Sequence, residues 1–162
     1  MYSWIVFLHV AGGFGFVLAH GASAAVAFAL RRERNLERLR ALLELSRSTF
    51  SLMYASLLLL LIAGIVAGFM GQHWGRGWIW AAIVALVAIS AAMGIMGGAY
   101  YGQLHRAAGL PYVERGKPHP AEEPANAAEI DQLLAKGNPV LLTVIGAGGL
   151  VFILWLMMFK PF

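Results

Sequence analysis

The stretch YSWIVFLHVAGGFGFVLAHGASAAVAFAL, residues 2–30, decides how this chain folds. Across it no acidic or basic side chain appears except His9 and His20. A helix needs about 20 apolar residues to cross the roughly 30 Å hydrocarbon core of a bilayer, so this segment crosses with turns to spare. The same reading applies outward along the chain. Phe50–Met70 is clean around Leu57–Ile65, Trp78–Gly102 carries only Ser90, Tyr100 and Tyr101 as polar side chains, and Pro139 opens a run that continues through Phe159. Proline at the first helical position is pre-set for a helix start. The sequence therefore predicts an all-α, polytopic integral membrane protein, a four-transmembrane-helix bundle with spans 2–30, 50–70, 78–102 and 139–159. Residues 1–162 form one membrane domain, with connecting loops at 31–49 and 103–138.

Composition agrees. Of 162 residues, 60% are apolar and 12% charged, against roughly a quarter charged in soluble domains; mean hydropathy is +0.71. The chain has no cysteine, which excludes disulfides, thiolate metal sites, Fe–S clusters and cysteine nucleophiles. A net charge of +4 does not indicate nucleic acid, because the basic residues flank apolar spans. Arg31, Arg32, Arg34, Arg38, Arg40 and Arg47 fall in the first long loop and Arg106, Arg115, Lys117 and Lys136 in the second, while Arg76 and Lys160 stand alone on the opposite side. By the positive-inside rule both long loops are expected in the cytoplasm and both termini outside. Ala22-Ser23-Ala24 has the small-residue character of a signal-peptide cleavage site, but the arginine cluster follows the apolar run instead of preceding it, so a retained helix is expected.

The loops are small. Leu36, Leu39, Leu43 and Phe50 recur at helical spacing among arginines, which predicts a helix at the interface or an inward extension of the spans. The second loop is rich in Pro and Ala from Pro111 to Ala128 and then offers a short helix, Glu129–Lys136, closed by Gly137. Small residues let membrane helices approach, and G-x-x-x-G pairs occur at Gly64/Gly68 and Gly94/Gly98, with Gly12, Gly13, Gly15 and Ala19 in the first span and Gly146, Gly148 and Gly149 in the last. These glycines predict a tightly packed bundle, and the same faces suit a homo-oligomer or docking to a larger membrane complex. The lipid bilayer is the first partner, and no nucleic-acid partner is expected.

Intramembrane ionisable groups are functional candidates because their desolvation is costly. His9 and His20 are eleven residues apart, which returns to within about 20° of one helix face and separates them by roughly 16 Å. Both are therefore expected to see the same neighbours. An imidazole pair of this kind suits axial ligation of haem iron, with Met or a second His opposite. Met53, Met93, Met96 and His105 lie near the depth of His20, and Met70, Met157, Met158 and His73 near that of His9. The cofactor-binding candidates are thus His9, His20, Met53, Met96 and His105, with His9 and His20 as the iron ligands of a haem b. The competing reading has both histidines neutral and hydrogen-bonded to Ser56, Ser90, Thr143 or a backbone carbonyl. Copper binding and proton transfer are further alternatives. Trp4, Trp74, Trp78, Trp80 and Trp155 are expected in the outer aromatic belt and Tyr100 and Tyr101 at the inner one. No Glu-x-x-His, G-x-S-x-G or phosphate-binding glycine loop is present, and no catalytic residue is assigned.

The opening Trp4-Ile5-Val6-Phe7-Leu8-His9-Val10 and the closing Leu156-Met157-Met158-Phe159-Lys160-Pro161-Phe162 resemble the first and last helices of the CopD/HemJ group of small bacterial membrane proteins. The resemblance covers about a third of the chain. It implies a four- or five-helix bundle in the bacterial inner membrane, with haem or porphyrin chemistry in one branch and copper handling in another. His9 is the histidine that matches the shared first-helix pattern. Trp78-Ile79-Trp80-Ala81-Ala82-Ile83-Val84 lacks the lysine of the porphyrinogen-oxidising branch, so the uncharacterised members are the nearer likeness. Two functions follow as expectations: an intramembrane haem-binding, redox-related protein, or a non-catalytic membrane scaffold or accessory subunit.

Overall fold

The structure, a computed structural model, describes residues 1–162. Its long helices are α1 (Tyr2–Leu30), α2 (Leu36–Met70), α3 (Gly77–Ala107) and α5 (Pro139–Phe159); a short helix α4 (Ala127–Lys136) and a hairpin of β1 (Tyr112–Glu114) and β2 (Lys117–His119) lie between α3 and α5. All four long helices are long and apolar enough to cross a membrane. The chain is an all-α polytopic bundle, embedded in the membrane. The 21 residues of α5 make about 31 Å of helix, just the thickness of the hydrocarbon, whereas the 35 of α2 make about 52 Å and must project well beyond it. That projection is the arginine-bearing segment from Leu36 to Phe50, continuous with the membrane helix.

Helix ends follow from local chemistry. Asn35, Asn126 and Asn138 cap α2, α4 and α5, their side-chain oxygens accepting from Arg38 N, Glu129 N and Leu141 N at 2.9–3.0 Å. The Glu33 carboxylate accepts the backbone N–H groups of Asn35 and Arg34 (2.8 and 2.9 Å) just before α2. These bonds, that from Asn35 foremost, hold its carboxyl below the usual carboxylate range.

The most extensive helix contact is between the antiparallel pair α1 and α2. Gly12, Ala19 and Val26 are buried at seven-residue intervals on α1, while the covered positions of α2 include Leu39, Ser46, Met53, Leu60 and Ala67 at the same interval. This is the 3.5-residue period of a left-handed supercoil. The seam is built from small and hydroxyl side chains. Ser23 and Thr49 share a hydrogen bond of 2.8 Å across it. A Cβ at Gly12 would stand 2.7 Å from the Leu60 nitrogen, and one at Gly15 would strike the Ser56 hydroxyl. Lipid supplies no hydrophobic drive between helices, so this close approach of backbones is what holds the pair. The lipid side is predominantly apolar, with residues such as Phe14 and Ile95 more than 70% exposed.

The largest buried cluster lies at the basic end of the bundle. Val26, Leu30, Leu39, Leu43, Leu104, Ala108 and Leu134 pack together, so α4 lays its apolar face over the ends of α1 and α3 and the start of α2. Arg40 Nε–H donates to the Ala108 carbonyl at 2.7 Å, closing the end of α3. The hairpin turns at Arg115 and Gly116, both with positive φ (50° and 78°), the backbone of a two-residue type I′ turn. It packs on α3 where Gly102 leaves room for the Val113 carbonyl, and Glu122 joins the Tyr112 hydroxyl (2.6 Å) to Arg106 (3.0 Å) beneath it. The expected loop 103–138 is therefore an ordered cap, and α3 runs to Ala107 instead of ending at Gly102.

Candidate functional site

His9 and His20 do not look at the same neighbours. His9 faces α2: its Nδ1–H donates to the Leu60 carbonyl at 2.8 Å, and Gly64 sits against the ring edge, a Cβ there falling 2.9 Å from Nδ1 and Cε1. His20 faces α5, its Nε2 directed at Gly146, where a Cβ would collide with it. The discrepancy has a geometric cause. Relative to a seam of period 3.5, eleven residues turn by about 50° instead of 20°, enough to move the second imidazole off α2 and onto the next helix. His20 stacks on Phe16 one turn earlier, with ring centroids 6.2 Å apart and planes at 2°. Its Nε2 is buried and has no hydrogen-bond partner.

The helix that meets His20 is itself irregular. Residues Val144–Gly148 of α5 form a π-helical turn, an insertion that widens the helix and is frequent at functional sites. The local Gly146-Ala147-Gly148-Gly149 run permits it. Gly146 makes room for the His20 ring and Gly149 for the Ile89 side chain.

The other candidates are dispersed. Met53 is half-buried on the α1–α2 seam, and the pairings of Ser23 with Thr49 and of Gly15 with Ser56 put it opposite Ala19. Met96 is 39% exposed on the outer surface of α3. His105 uses its Nδ1–H on the Tyr101 carbonyl one turn earlier (2.9 Å). His73 shares a long hydrogen bond of 3.3 Å with the Tyr2 hydroxyl, and His119 stacks on Tyr112 in the hairpin (4.9 Å, 10°). No group of three His, Cys, Asp or Glu side chains comes within reach of one metal ion.

These positions test the haem expectation residue by residue. A metal bound to imidazole lies about 2 Å from the nitrogen. At His20 a Cβ on residue 146 would already collide with Nε2, so the α5 backbone packed against this nitrogen leaves no room for a metal and its porphyrin there. His9 fits better as a single ligand, since an Nδ1–H given to a backbone carbonyl is the arrangement that leaves Nε2 free for a metal. Its neighbours across the seam, Leu60 and Gly64, supply no second ligand.

The glycine pairs also divide. Gly64 seats His9, and Gly68 seats the Trp74 indole, whose ring atoms would lie 3.1–3.2 Å from a Cβ. Gly94 and Gly98 pack against nothing within the chain: a Cβ at either meets no atom within 4 Å. The expectation that they serve packing inside the bundle is corrected accordingly. The fold and the site define a polytopic helical membrane protein with two inter-helical histidines. No family model, no curated protein and no solved structure matches this chain.

Proposed function

We propose that the chain is a non-catalytic membrane subunit that assembles through the face of α3 carrying Ser90, Gly94 and Gly98. One observation carries this reading. Gly12 and Gly15 of α1 are used in contacts with α2, while Ser90, Gly94 and Gly98 of α3 are exposed and a Cβ at either glycine would meet open space. A small-x-x-x-small stripe facing lipid is the geometry that receives another transmembrane helix at short backbone distance. The histidines are read as structural in this account, His9 tying α1 to the Leu60 carbonyl and His20 filling the space left by Gly146.

The membrane is proposed to be the bacterial inner membrane, with both termini outside. The ten basic residues of the two long loops, against Arg76 and Lys160 at the other end, support that orientation. A reporter fused after Phe162 should be active outside the cytoplasm and one near Pro120 inside; the reverse would invert the topology. For assembly, the absence of native cysteine lets a photo-crosslinker be attached to a single introduced cysteine at Ser90 or, as a lipid-facing control, at Val17. Ser90 should yield a protein adduct of defined mass that Gly94→Leu abolishes, and Val17 only lipid adducts. Lipid adducts alone at both positions would end this reading.

A second reading, carried by the His9 geometry, is a haem or metal held by His9 with its other ligand from outside the chain. It resembles the cofactor chemistry of the CopD/HemJ group. A Soret band in the purified protein that is lost in His9→Ala and kept in His20→Ala would favour it.

A further inference from the structure

At the end of the bundle opposite the arginine-rich cap, His73, Arg76, Trp78, Lys160 and Phe162 line a half-open pocket of about 240 Å³. Arg76 and Lys160 are the two basic residues that the charge count leaves on this side, and the fold brings them from separate loops to one cavity. The eight acidic side chains, Glu33 to Asp131, all lie at the other end of the bundle or in its cap. No carboxylate side chain lines the pocket.

The pocket is held open by several contacts. The Trp78 N–H donates to the Phe162 carbonyl (3.3 Å), which folds the final residues back over the start of α3. The Phe162 ring rests on Gly77, where a Cβ would meet it at 2.8 Å. Lys160 Nζ stands 5.6 Å from the centroid of the Trp78 ring, and Trp78 is only 5% exposed, so it is the pocket floor and not part of the outer aromatic belt. Lys160, which lines the pocket, and Gln72, next in sequence to the lining residue His73, adopt the left-handed backbone (φ 47° and 54°) without being glycine. Such conformations persist where surrounding structure imposes them and cluster at binding sites.

We propose that this pocket binds a phosphate-type oxyanion. A planar guanidinium offers paired N–H donors to such a group, the Lys160 ammonium adds a compact charge, and His73 contributes a ring nitrogen, all against a rigid indole floor. The phosphate is either that of a soluble solute or that of an anionic phospholipid headgroup in the adjoining leaflet.

The test uses the full chain labelled with ¹⁵N-tryptophan in phosphatidylcholine nanodiscs, following the Trp78 indole resonance. Inorganic phosphate is titrated at constant ionic strength against chloride, and separate discs contain phosphatidylglycerol. A saturable shift with phosphate identifies a soluble anion; a shift only with phosphatidylglycerol identifies the headgroup. Arg76→Gln combined with Lys160→Gln should weaken either response roughly tenfold or more, while Arg31→Gln combined with Arg32→Gln, at the opposite end, should leave it intact. Should the double variant at the pocket fail to fold, Gly77→Ala, which displaces the Phe162 ring, supplies the second perturbation and should reduce the response. A Trp78 resonance that neither anion moves, or that moves equally in the pocket variants, overturns the proposal.

Discussion

Gly12→Ala should be among the most damaging single-methyl changes in this protein. The added Cβ would lie 2.7 Å from the Leu60 nitrogen and 3.0 Å from the Leu60 Cα and the Ser56 carbonyl oxygen. All three are backbone atoms of α2, so no side chain can rotate aside. Restoring ordinary van der Waals separation requires α1 and α2 to part by roughly 0.7–1 Å. The displacement would lengthen the hydrogen bonds from His9 to Leu60 and between Ser23 and Thr49, which bracket Gly12 along the seam. Overpacking of this type costs about 1–3 kcal/mol, and the strained bonds push the value toward the upper end. Reversible unfolding in mixed micelles, followed by circular dichroism, reads the loss directly. Gly94→Ala is the paired control, because its Cβ meets nothing within 4 Å, and the monomer should keep its stability or gain up to about 1 kcal/mol from the better helix propensity of alanine. Equal stability of Gly12→Ala and the parent, or greater damage from Gly94→Ala in monomeric protein, would refute the assignment of α1–α2 as the tightly packed pair.

Other substitutions probe the remaining contacts. Gly146→Ala drives a methyl into His20 and should destabilise by about 1–3 kcal/mol, with much of the loss recovered in the Gly146→Ala, His20→Ala double variant; purely additive losses in the same unfolding assay would show that the two do not touch. Leu134→Ala empties a fully buried position in the cap and should cost about 2–5 kcal/mol, seen first as faster hydrogen exchange in α4, and unchanged exchange there would remove α4 from the core. Glu122 is held below the usual carboxylate range by the Tyr112 hydroxyl and then by Arg106. A carboxyl with a depressed folded value contributes stability above its unfolded pKa, about 4.3, and loses it as pH falls through the folded value. The Tyr112–His119 stacking should accordingly loosen in nuclear magnetic resonance spectra only as pH falls below the usual carboxylate range, through the depressed value of Glu122, and Glu122→Gln should abolish that acid transition.

The four spans were legible because a long run without charge has no stable place except a bilayer, and Tyr2–Leu30 or Leu57–Ile65 can be read in no other way. The continuity of α2 was harder to see. Arg38, Arg40 and Arg47 interrupt the hydropathy, and only the recurrence of Leu39, Ser46, Met53 and Leu60 at intervals of seven carries one helix through both environments. The hairpin left little trace, since strands of three residues are too short for alternation and its turn is signalled by Arg115-Gly116 alone. For the site, the residue types were evident and their neighbours were not. A period of 3.6 put His9 and His20 on one face; the supercoil of the actual pair sends them to α2 and α5. The π turn in α5 was foreshadowed only by clustered glycines, which are equally common in regular membrane helices. The pocket at the far end joins Arg76 to Lys160, and no local pattern links residues so far apart in sequence.

A G-x-x-x-G pair does not by itself state what it packs against; the atoms a Cβ would meet do. By that criterion α1 and α2 form the closed half of the bundle, with Gly12 against backbone, Gly15 against Ser56 and Gly64 against His9. The other half is built differently. In α5 a π turn and its glycines accommodate His20 and Ile89, and in α3 Gly94 and Gly98 accommodate nothing. A glycine in a helix carries a conformational cost of about 0.8–1.0 kcal/mol relative to alanine, so two of them on a lipid-facing surface weaken α3 without return inside the monomer. That cost is offset if another helix lies across them, where the missing side chains allow backbone contact. The exposed stripe on α3, set against the closed seam of α1 and α2, is thus the feature that supports the proposed assembly through α3.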